Sequence, residues 1–101
     1  MERIDRIKQM EEILDKHTEI LKKVEEALDD LEKNQEAYEK LKEYYGSQKF
    51  LDDYEKSNEG ELPKDLKCGV LSEDAVFDLI GENYQTAIRM LELGTKMVKD
   101  H

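Results

Sequence analysis

Three residues of this chain have side chains suited to nucleophilic, general-base or soft-metal chemistry: His17, Cys68 and His101. Lys64 and Lys67 stand near Cys68 and would favour its thiolate. It belongs to no Cys-x-x-Cys pair, however, and a single cysteine makes no intrachain disulfide. His17 interrupts an apolar row and reads either as a metal ligand or pH-sensitive position, or as a polar residue that fixes register in a helical seam. Gln35 interrupts the same row. Carboxylate-bridged metal bundles use Glu-x-x-His pairs, but Leu14 stands three residues before His17 and Val98 three before His101. The preferred reading of His17, Gln35 and Cys68 is therefore structural. There is no phosphate-binding glycine loop, Ser/His/Asp set or metal-ligand cluster, so no catalytic residue, metal or cofactor is expected and the chain reads as a non-enzyme.

Aromatic residues offer a better place for a site. Tyr38, Tyr45, Phe50, Tyr54, Phe77 and Tyr84 are the candidate pocket or interaction surface, with Tyr44 beside them. Tyrosine hydroxyls around an apolar floor suit a small molecule or peptide. The plainer reading is that bulky rings fill a widening core while their hydroxyls reach water. The segment 62–72 is a second candidate, since loops on rigid scaffolds often carry function. Leu62, Leu66, Val70 and Leu71 within it argue that it packs back as structure.

The elements that position these residues are helical. From Glu2 to Tyr45 the chain has no proline or glycine, and Ile7, Met10, Leu14, His17, Leu21, Val24, Leu28, Leu31, Gln35 and Tyr38 step by three and four. This is a sustained heptad. Ile13, Ile20, Ala27 and Leu41 widen the stripe as a bundle helix requires. Glu12/Lys16, Glu19/Lys23, Asp29/Lys33 and Glu36/Lys40 set acids four residues before bases, pairs worth about 0.2–0.5 kcal/mol each. Gly46 is a natural stop and Ser47 an N-cap for a short helix. Ser72 caps the last helix, with Leu71 and Val76 as a hydrophobic staple.

The expected fold is all-α and a single domain, 1–101. A long N-terminal helix (about 2–45) and a C-terminal return helix (73–99) form an antiparallel hairpin. A short elbow helix (48–57) and an ordered loop (58–71) lie between them, with Phe50, Tyr54, Leu66 and Leu71 packed at the joint. At 1.5 Å per residue the helices span about 65 and about 42 Å, so the elbow helix with Phe50, Leu51 and Tyr54 can cover part of the excess stripe and a second copy of the chain, as a homodimer, the rest.

Net charge is −10, 42% of residues are charged and tryptophan is absent, with a mean hydropathy of −0.88. Phosphate affinity needs clustered Lys and Arg, so no nucleic-acid partner is expected. No stretch is apolar enough to span a bilayer, and Met1-Glu2-Arg3-Ile4-Asp5 lacks a secretory pattern. The cytoplasm is the expected location.

The opening Met1-Glu2-Arg3-Ile4 with its heptads, Tyr44-Tyr45-Gly46-Ser47, and Gly69-Val70-Leu71-Ser72-Glu73-Asp74-Ala75-Val76 resemble a family of small bacterial proteins, domain of unknown function family 4298, common among Firmicutes. The resemblance covers essentially the whole chain. It implies a cytoplasmic bacterial helical protein and carries no activity or functional residues. The functional expectation is a non-enzymatic helical interaction or structural module that self-associates. One alternative is an acidic decoy or regulator of a basic, nucleic-acid-binding protein. The other is a small-molecule binder at the aromatic elbow.

Overall fold

The computed structural model describes all 101 residues, Met1–His101, which form two units, Met1–Tyr38 and Glu39–His101. The elements in order are α1 (Glu2–Lys33), α2 (Gln35–Tyr45), α3 (Gln48–Asn58), a 3₁₀ turn (Gly69–Leu71) and α4 (Ala75–Lys99).

The expected antiparallel hairpin of two long helices and one elbow is not what the chain forms. It has four helices and a 3₁₀ turn. A hairpin would bury the facing stripes along their length, yet α1 and α2 contain no buried residue. On the supposed return helix Phe77, Tyr84, Leu91 and Val98 are all exposed. Burial is confined to Phe50, Leu71 and Val76, which retain 8%, 7% and 3% of their accessible surface. The 3₁₀ turn packs on both α3 and α4, so the start of α4 is covered by this turn.

The first helix is also shorter than its sequence pattern. Nothing breaks at His17, but α1 ends at Lys33 and Asn34 stands outside both helices at φ −89°, ψ −1°. Asn34 still donates to the Asp30 carbonyl (3.0 Å) and accepts from Tyr38 (3.0 Å). The Leu31 carbonyl is taken by the Gln35 side-chain amide at 3.1 Å. Polar side chains that compete for backbone groups weaken a helix interior, and here two stand in succession. Of the four acid–base pairs expected, only Glu19–Lys23 closes, at 3.7 Å between exposed groups. Holding two long side chains together offsets most of the attraction at such sites.

In the second unit the local signals work at closer range. Gly46 ends α2 with its N–H on the Lys42 carbonyl (3.2 Å). Ser47 is extended at φ −103°, ψ 163° and caps α3. Its Oγ accepts from the Phe50 N–H (3.3 Å) and donates to the Tyr44 carbonyl (2.6 Å), tying the two helix ends into one corner. The other end of α3 closes as a Schellman motif. Glu61 N–H reaches the Lys56 carbonyl and Gly60 N–H the Ser57 carbonyl, both at 3.1 Å. Gly60 has φ +72°, the only positive φ in the chain, and open space around its Cα. Backbone strain alone therefore selects glycine there. The Lys56–Glu61 ion pair (2.8 Å) spans the same turn. At α4, Ser72 Oγ accepts from Ala75 N–H (3.1 Å), and the helix begins at Ala75, two residues later than its sequence suggests.

Of the four side chains expected at the joint, Phe50 and Leu71 are buried, Tyr54 is half-buried and Leu66 is exposed. Truncating a buried Leu or Phe costs about 2–5 kcal/mol, comparable to what one small core supplies. Phe50→Ala and Leu71→Ala should each abolish cooperative thermal unfolding of the second unit, followed by near-ultraviolet circular dichroism. Parental melting in both variants would show that the buried trio is not its core.

Candidate functional site

The corner held by Ser47 assembles the aromatic side chains. It aims Phe50 back toward the end of α2, where its ring meets Tyr44 edge-on (5.6 Å between centroids, 84° between planes). It meets Tyr45 the same way (5.0 Å, 65°). One turn further along α3, Tyr54 stacks on Phe50 at 6.2 Å and 26°. Edge-to-face and offset-stacked pairs of this kind contribute about 0.5–1.5 kcal/mol beyond the area they bury. The Tyr44 hydroxyl donates to Asp53 Oδ2 (2.5 Å) and the Tyr54 hydroxyl to Glu73 Oε1 (3.3 Å), so each ring is fixed at both ends.

Beside this cluster lies a cavity of about 290 Å³ walled by Leu62, Leu66, Val70 and Leu71, with Tyr44, Asp53, Lys67 and Cys68 as its polar lining. Small-ligand pockets begin near this size. The phenol of Tyr44 is pushed up from 10.0 to about 12, first by its hydrogen bond to Asp53, then by burial and the negative charge of Asp53 and Cys68. Tyr44 is thus a held proton donor and Asp53 its acceptor; the two groups answer each other. Cys68 is a half-buried free thiol.

The structure brings Tyr45, Phe50 and Tyr54 together and adds Tyr44. Phe77 and Tyr84 are 66% and 63% exposed on α4. Tyr38 is half-buried at the end of the first unit. None of these six aromatic residues lines the cavity, whose one aromatic side chain is Tyr44. Neither the Tyr44–Asp53 bond nor the cavity has a signature in the sequence, because nine residues and a helical corner separate the two partners. No three His, Cys, Asp or Glu side chains gather closely enough to hold a metal ion. His17 is exposed on α1 in a shallow hollow with Ile13, Lys16 and Ile20. A second open hollow on α4 is formed by Met90, Leu91, Gly94, Thr95, Val98 and Lys99.

Ionised Tyr44 cannot donate to Asp53. Between pH 10.0 and about 12 the folded chain keeps a proton that the unfolded chain has lost. The stability this bond contributes is complete below the lower value and is lost as pH rises through the upper one. A tyrosinate titration followed by absorbance should contain a component near pH 12 that Tyr44→Phe lacks. An unchanged titration in that variant would show that the bond does not hold the proton.

Residues 7–93 match the family described as domain of unknown function (DUF4298). No curated protein matches the chain.

Proposed function

We propose that this chain, which belongs to the domain of unknown function family DUF4298, is a non-enzymatic protein-interaction module that associates through the apolar seam of α1. The observation that carries this reading is exposure. Ile7, Met10, Leu14, Leu21, Val24, Leu28 and Leu31 recur along one helix face, and every one is exposed to solvent. Contiguous apolar surface of this extent on a folded chain marks a contact with another molecule. No helix is long and apolar enough to cross a membrane, and a flanking face rich in Glu and Lys suits a stripe that meets protein. The module would act in the bacterial cytoplasm, as the sequence resemblance implies. The acidic-decoy alternative has less support, since the carboxylates from Glu2 to Glu19 alternate with Arg3, Arg6, Lys8 and Lys16 and only the last turns of α1 are predominantly acidic.

Sedimentation equilibrium tests this reading. The protein should exceed 11.9 kDa at micromolar concentration in physiological salt, and Leu21→Lys should lower its mass toward that value. Wild-type protein that remains at the chain mass up to high micromolar concentration would remove self-association from the proposal.

The apolar cavity supports a second reading, a small-molecule site in which Lys67 would meet an anionic group and the four aliphatic walls its apolar body. This reading expects fragments of that type to shift the methyl resonances of Leu62, Leu66 and Val70. Fragments that shift none of them would dispose of it.

A further inference from the structure

We infer that the occupant of the α1 seam is a second copy of this chain bound antiparallel, with the two-fold axis level with Glu19. The inference rests on the interaction reading above and names its partner and orientation. Charge comes first. Residues 2–10 carry Arg3, Arg6 and Lys8 against Glu2 and Asp5, a net +1. Residues 25–33 carry Glu25, Glu26, Asp29, Asp30 and Glu32 against Lys33, a net −4. A parallel pair lays the two −4 ends side by side. An antiparallel pair lays each −4 end along a +1 end and opposes the helix dipoles.

Register agrees with this orientation. In an antiparallel pair the two seam positions of each heptad face one another across the interface. Ile7 then faces Leu31, Met10 faces Leu28 and Leu14 faces Val24, so the pattern closes upon itself without an overhang. His17 faces Leu21 at the centre instead of a second His17, as the parallel pair would require. The widened flank of the seam gives the same answer. Antiparallel copies place Ile20 beside Ile20 and Ile13 beside Ala27, apolar on apolar. Parallel copies place Ile20 beside Glu25 and Ala27 beside Glu32. The opposite flank of the antiparallel pair sets Glu11 beside Glu25, on an edge open to water where salt screens the repulsion. The one favourable flank pair of the parallel form, Arg6 beside Glu11, does not offset the stacked acidic ends.

Disulfide trapping reads the orientation directly. Full-length chains with Cys68→Ser and Ile7→Cys are mixed with chains carrying Cys68→Ser and Leu31→Cys, then oxidised gently. Both new thiols lie on exposed positions of α1, so neither change touches the buried side chains. In the antiparallel pair position 7 lies beside position 31 of the other copy and about 36 Å from position 7, far outside the reach of a disulfide. The mixed 7–31 species should therefore predominate over both self-linked species. Predominant 7–7 and 31–31 species would overturn the orientation while leaving self-association in place. A dimeric mass without any cross-link would move the interface off this seam. A chain that remains at 11.9 kDa and forms no cross-link would overturn the association itself.

Discussion

Phe50 is the side chain on which the second unit depends, because three separate constraints meet at it. Its backbone N–H is the donor that Ser47 Oγ accepts. Its ring is the common partner of Tyr44, Tyr45 and Tyr54, and it is one of only three buried side chains in the molecule. The other two, Leu71 and Val76, come from the 3₁₀ turn and from α4. The 3₁₀ turn packs on both α3 and α4, so the three buried side chains come from elements that meet at that turn. Two of the rings that meet Phe50 also make polar bonds, Tyr44 to Asp53 and Tyr54 to Glu73.

The first unit follows another logic. Helix α1 runs for 32 residues without a buried side chain. An isolated helix in water gains little from propensity, and most helical stability in proteins comes from packing an amphipathic face. The heptad in α1 is an amphipathic face that its own chain does not bury. Periodicity alone does not distinguish such a face from one that its chain buries. Periodicity identified the stripe and its width, but a stripe is equally satisfied by a return helix in the same chain or by a separate molecule. A return helix is the economical expectation for one chain, and the four helices and 3₁₀ turn of the structure overturn it.

Signals that act within four residues were legible. Gly46 as a stop and Ser47 as a cap follow from steric and hydrogen-bonding rules spanning one helical turn. The interruption at Asn34 was harder to read, because neither Asn nor Gln forbids a helix. In the structure the Gln35 amide takes the Leu31 carbonyl at that point. The Tyr44–Asp53 pair and the cavity beside it were not legible at all. They depend on how sharply α2 turns into α3 and where the segment after Gly60 returns, which are three-dimensional facts. Phe77 and Tyr84 belong with the elbow aromatics only if α4 is the return helix of a hairpin, and of the six only Tyr45, Phe50 and Tyr54 share a cluster.

The uneven placement of aromatic residues has an experimental consequence. Helix α1 contains no Phe, Tyr or Trp, and all seven aromatic side chains lie at position 38 or beyond. Tyrosine emission and near-ultraviolet dichroism therefore observe the second unit almost alone, whereas the peptide-bond signal weighs every helix by its length. The two signals need not fall together on heating. A gap between them would measure how far α1 melts independently of the aromatic corner, without a label or a truncated chain.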